Sequence, residues 1–195
     1  MLIFNPRNMT SNNVGKGIAE FVGTFFLTLT SFIAAVNGSA GAFAPLAIGL
    51  TLMVMIYALG HVSGAHFNPA VSIGLFLKGD CSQDELPTYL GAQILAGVLA
   101  FFVGSELVLN GADAAEITAA TFNSTIAVLS AEALWTFALM FVIINVATEQ
   151  AGNQFYGAAI GLTVMAGAFT VGSISLGSFN PAVTTMLTVS GKLAV

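Results

Sequence analysis

Five stretches of the chain are apolar almost without interruption: about 18–36, 42–60, 87–108, 131–148 and 155–173. Each approaches or reaches the roughly 20 residues needed to cross a bilayer's hydrocarbon, so each predicts a spanning helix. Two further apolar runs, about 68–77 and 180–189, are only half that long. Both begin at the same words, Phe67-Asn68-Pro69-Ala70-Val71 and Phe179-Asn180-Pro181-Ala182-Val183. Asn is a favoured N-cap and Pro a favoured first helical residue, so each run predicts a helix starting at its Pro. Irregular backbone cannot face lipid, and a half-length helix must be buried in protein or line a watery cavity. The two short runs are therefore read as re-entrant half-helices.

A shift of 112 residues superposes Ala19-Glu20 on Ala131-Glu132, Gly49-Leu50-Thr51 on Gly161-Leu162-Thr163, Ser63 on Ser175 and the two Asn-Pro-Ala stretches on each other, without a gap. The chain is thus divided into a polar N-terminal segment (1–17), a first repeat (18–108), a connecting loop (109–130) and a second repeat (131–195). The first repeat contains three spans and a half-helix. Three is odd, so the second copy must insert upside down, and inverted repeats with paired broken helices place their site near the midplane. The fold class is an all-α membrane protein built on this inverted repeat. By the same shift a sixth span is expected at roughly 199–220, beyond Val195, and is absent from this chain. A longer protein and a five-span protein are the two alternatives that this leaves.

Composition agrees. The 195 residues are 56% hydrophobic and 7% charged, against about 25% charged in soluble domains. Four basic side chains against nine acidic ones provide no surface for nucleic acid. The single cysteine, Cys81, has no internal partner and is read as a loop thiol. No nucleophile stands beside a base, no glycine loop fits a phosphate, and no cluster has metal-ligand spacing, so no enzyme, cofactor or metal is expected. His61 and His66 lack acidic or cysteine companions at ligand spacing and are assigned to loop packing and hydrogen bonding. Ala92, Ala96, Ala100 and Gly104 form a small-residue stripe suited to close helix packing. Glu106 is expected to reach the membrane interface. Asn8 and Asn123 begin glycosylation sequons. Arg7, Lys16 and Lys78 fall on one side and 109–130 carries Asp113 and Glu116 without a cation, which makes the N-terminus cytoplasmic by the positive-inside rule; Lys192 is the exception.

With its paired Asn-Pro-Ala stretches, Ala19-Glu20-Phe21-Val22-Gly23-Thr24-Phe25 and Gly60-His61-Val62-Ser63-Gly64-Ala65-His66, the chain resembles the aquaporin family, also called major intrinsic proteins, and is nearest the water-channel branch in local wording. The resemblance implies a homotetramer with one pore per subunit, six spans and two half-helices in each. Asn68, Pro69, Ala70, Asn180, Pro181 and Ala182 would be the pore motifs. The Asn amides would donate to a passing oxygen, while half-helix dipoles turn cations away. Glu20 and Glu132, costly charges inside apolar helices, would accept hydrogen bonds from the half-helix loops.

The selectivity filter is where the chain departs from the family. The offsets from the motifs place it at Ile48, Ala168, Gly177 and Val183, and Val183 stands where water channels usually carry Arg. Thr184 replaces the Asp of the glycerol-conducting branch. A passive channel for water that also passes ammonia, urea or hydrogen peroxide is expected. Its rivals are an inverted-repeat secondary transporter and a non-conducting structural protein of the same fold.

Overall fold

A computed structural model describes residues 13–110, 117–150 and 152–193. Arg7, the Asn8 sequon, Asp113 and Glu116 lie outside the described residues. The elements in order are α1 (Asn13–Ser31), α2 (Ala44–Ser63), α3 (Pro69–Lys78), α4 (Leu86–Phe102), α5 (Thr125–Ile143), α6 (Tyr156–Ser175) and α7 (Pro181–Val189). Wider π-helical turns extend α1 over Phe32–Val36, α4 over Val103–Val108 and α5 over Ile144–Glu149. Five of these helices are long and apolar enough to cross a membrane, and among the described residues there is no strand.

Two starts differ from the hydrophobic pattern. α1 begins at Asn13 rather than 18. α5 begins at Thr125 rather than 131, because the Ser124 hydroxyl accepts a hydrogen bond from Ala127 N (3.3 Å) and caps a first turn that lies outside the apolar run.

The two repeats meet where α2 crosses α6. A Cβ built on Gly49 would stand 2.7 Å from the Gly161 carbonyl oxygen, and one on Gly161 would stand 2.5 Å from the Gly49 oxygen. This reciprocal approach, between residues 112 apart, is what a two-fold relation between the repeats requires, and only glycine permits it. Around the crossing, α1 runs beside α2 and α4, α5 beside α6, and α4 rests on α7. Leu27, Ile56, Phe67, Val71, Leu139 and Ile160 form the main apolar core. Phe32, Val183, Met186 and Leu187 form a second. Ala96, Ala100 and Gly104 of the small-residue stripe are buried, Gly104 against the Phe32 ring. Ile126, Leu129, Leu134, Phe137 and Phe141 of α5 point outward, as side chains facing lipid do.

Candidate functional site: the paired half-helices and their lumen

Each half-helix starts at its Pro, with the preceding Asn in extended geometry as N-cap. Asn68 Oδ1 accepts from Ala70 N and Asn180 Oδ1 from Ala182 N, both at 2.9 Å. The amide nitrogens reach across to the opposite repeat. Asn68 Nδ2 donates to the Phe179 carbonyl (2.8 Å) and Asn180 Nδ2 donates to the Phe67 carbonyl (2.9 Å). The two stubs are therefore tied to each other directly, end to end. An amide nitrogen carries two protons; one is used in this exchange and the other remains for a further acceptor.

The loops leading into the stubs are near copies. Gly64 and Leu176 end α2 and α6 with φ of 87° and 70°, and Phe67 and Phe179 stand at 50° and 47°. Non-glycine residues adopt such left-handed geometry only where surrounding contacts enforce it. The enforcing groups here are the two buried or half-buried glutamates. Glu20 accepts from Ser63 Oγ (2.6 Å), His66 N (2.9 Å) and Phe67 N (2.7 Å). Glu132 accepts from Ser175 Oγ (2.6 Å), Ser178 N (3.1 Å) and Phe179 N (2.7 Å).

The histidines occupy different settings. His66 is buried, its Nδ1 3.0 Å from Ser72 Oγ and its ring edge-on to Tyr89 at 4.9 Å. His61 is exposed in the last turn of α2 and lines the lumen. Glu106 is exposed at the far end of α4, and Asn123 is exposed just before the α5 cap.

A cavity of about 1580 Å³ runs past both stubs. Its lining includes Lys16 near the start of α1 and Val36 at its end, a separation of roughly 30 Å at 1.5 Å per helical residue. The lumen thus extends along most of a spanning helix, with Asn68 and Asn180 between its ends. Ile48, Gly177 and Val183 line it; Ala168 backs Gly177, its Cα 3.2 Å from a Cβ built there.

Beyond the Lys16 end, Lys16 pairs with Glu85, and Asn13 Nδ2 donates to the Asp84 carbonyl (3.2 Å). Burial alone would push the Glu85 carboxyl up; hydrogen bonds from Lys16 and Ser82 outweigh it and hold the group down at about 2. Cys81 lies in the connection between α3 and α4 and is buried there, and that burial, with Glu85 nearby, pushes its thiol up to about 11.

Membrane-length helices arranged as two opposed halves, with re-entrant stubs meeting beside a lumen, define a multi-pass membrane protein of the channel-forming kind. The description "Major intrinsic protein" fits residues 7–186, and the chain belongs to that family. It is therefore a member of a channel family and not an enzyme. It is 39% identical over 174 residues to "Aquaporin NIP1-3" of Oryza sativa subsp. japonica, covering 86% of this chain and 60% of the relative. It is 36% identical over 201 residues to "Aquaporin NIP1-1" of Arabidopsis thaliana, covering 92% and 68%. The X-ray structure of the aquaglyceroporin from Plasmodium falciparum superposes with a TM-score of 0.76 at 25% identity, covering 92% of this chain and 81% of that one. The chain spans about three-fifths of the length of several curated relatives that it matches.

Three participants escape a reading of the sequence alone. Gln93 of α4 donates to Glu20 Oε2 (2.8 Å) and Ser72 Oγ (2.9 Å), and Tyr89 donates to the Ser63 carbonyl (2.6 Å). A lone amide in an apolar helix was the available signal. Ser178 shares a 2.8 Å hydrogen bond with Thr184, the positional counterpart of His66 with Ser72.

Proposed function

We propose that the chain forms a passive pathway for water and small neutral solutes such as ammonia, urea and hydrogen peroxide. The observation that carries this reading is the pair of reciprocally tied Asn stubs bordering a lumen that follows a spanning helix. In this reading each amide offers its remaining proton to an oxygen lone pair. The half-helix N-termini add partial positive charge, which disfavours cations at the midpoint. Asn68, Pro69, Ala70, Asn180, Pro181 and Ala182 are the pore motifs, and Glu20, Glu132 and His66 hold the loops that present them. Ile48, Ala168, Gly177 and Val183 form the filter. Because all four are apolar or small, the filter is wide and discriminates weakly among neutral solutes. The Lys16 end is cytoplasmic, and subunits assemble as homotetramers in the bilayer.

Stopped-flow light scattering on proteoliposomes tests the wide filter. Water, urea and ammonia are all expected to pass, and Val183→Arg is expected to cut urea flux about tenfold, with a smaller effect on water. Complete exclusion of urea and ammonia by the wild-type protein would refute this.

A further inference from the structure

Among the described residues, the two ends of the lumen carry different charge. At the Lys16 end, Asp80 and Glu85 join Lys16 in the lining. At the Val36 end, Lys192 is the one charged lining residue among those described. Glu106, exposed on the extension of α4, does not line the cavity.

Lys192 is held at that mouth by three hydrogen bonds of its own and one made by its neighbour. Its ammonium donates to the Thr118 carbonyl (3.1 Å), and its own carbonyl accepts from Ala120 N (2.8 Å). Its backbone N–H donates to Ser190 Oγ (3.3 Å), and the next residue, Leu193, donates from its N–H to the Leu187 carbonyl (3.0 Å). Leu193 and Ile117 also pack against the apolar cluster of Val183, Met186 and Leu187. An ammonium has three protons; one is committed to Thr118, which leaves the charge fixed beside the opening instead of swinging freely. α7 runs from Asn180 towards this mouth and ends at Val189, so Lys192, three residues past the helix, lies within roughly 20 Å of Val183.

We propose that Lys192 is a specificity-determining residue: its tethered ammonium makes the Val36-end mouth positive and repels cations there, a charge that Val183 does not supply in the filter. The inference rests on the lumen being the permeation path. A unit charge about 10 Å from an entering ion, at a dielectric between that of a protein surface and bulk water, changes the ion's local concentration by about threefold. Confinement within low-dielectric walls strengthens such an effect, and salt weakens it.

The potential is measurable without any flux. Ala35 is exposed and lines the same end, so Ala35→Cys in a Cys81→Ser background places one thiol there, and Val36→Cys provides a second reporter should the first fold poorly. Modification rates are compared for an anionic sulfonatoethyl and a cationic trimethylammonioethyl methanethiosulfonate. With Lys192 in place the anionic reagent is favoured. Lys192→Gln, which keeps a donor for the Thr118 carbonyl, is expected to lower the anion-to-cation rate ratio about tenfold, threefold from each reagent. Lys192→Glu lowers it further, Lys192→Arg preserves it, and 1 M salt removes most of the difference. A residue that merely pinned the loop would alter both rates together and leave the ratio alone. A ratio unmoved by Lys192→Gln and Lys192→Glu would overturn the inference, as would a thiol reached by neither reagent. Water flux in the same vesicles is read separately: its absence sinks the permeation reading, while a flat ratio with intact flux sinks only the role of Lys192.

Discussion

The first repeat closes over its glutamate and the second leaves its own partly open. Glu20 is fully buried, and α4 seals it by bringing Gln93 to its second oxygen and Tyr89 to the Ser63 carbonyl. Glu132 is half-buried beside a recess of about 300 Å³ lined by Thr136, Ser175, Ser178, Thr184 and Leu187. Yet the two loops adopt the same left-handed steps, Phe67 at 50° and Phe179 at 47°. In both repeats the glutamate, its serine and the Asn cap make the same bonds to the loop.

That contrast can be broken most forcefully at the carboxylates. Glu20→Ala strands the donors of buried Ser63, His66 and Phe67, at a cost of about 3 kcal/mol, equivalent to a melting shift of about 10 °C for a chain of this size. Glu132→Ala opens onto a recess where water can replace the lost acceptor, and roughly half that shift is expected. Thermal scans in detergent compare them, and equal shifts would mean that α4 does not create the difference. Gln93→Leu should narrow the gap, bringing the Glu20 site towards its counterpart by about 1–2 kcal/mol.

A smaller effect comes from the Lys16–Glu85 tie, which anchors α1 to the loop before α4. The Glu85 carboxyl titrates lower in the folded protein, at about 2, than its ordinary 4.5. Its stabilisation is therefore complete above about 4.5 and is lost as pH falls towards 2. Glu85→Gln should lower the melting temperature modestly at neutral pH, where the wild-type tie is intact, and flatten the acid decline so that the two proteins converge as pH falls towards 2. The smallest effect is expected from mercury. Cys81 is buried with its thiol held protonated, and Gly177 offers no sulfur at the filter, so water flux should change by less than about twofold. Block that persists after Cys81→Ser would place the metal's target elsewhere.

Much of this contrast is legible in the residue pattern, because hydrophobic length and the Asn-Pro caps act locally. The five spans, both stubs and the 112-residue relation all follow from side chains that specify their own neighbourhood. The start of α5 at Thr125 is hidden because Ser124 ends a polar stretch and only its capping geometry reveals the extra turn. The left-handed Ala65, Phe67, Leu176 and Phe179 carry no glycine to announce them; tertiary hydrogen bonds to distant glutamates impose the turn. The ties between Asn68 and Phe179 and between Asn180 and Phe67 join residues more than 100 apart, and no local spacing encodes them. Lys192, an exception to the charge rule along the chain, acquires a place only once α7 and the segment around Thr118 are seen together.

The most direct test of the central claim is osmotic water flux through the reconstituted chain as a function of temperature. A lumen threaded between the two tied stubs predicts shrinkage much faster than in protein-free vesicles, with a shallow temperature dependence, and its loss on Asn68→Leu together with Asn180→Leu in protein that still folds. Flux equal to that of empty vesicles, or flux indifferent to both substitutions, would contradict it.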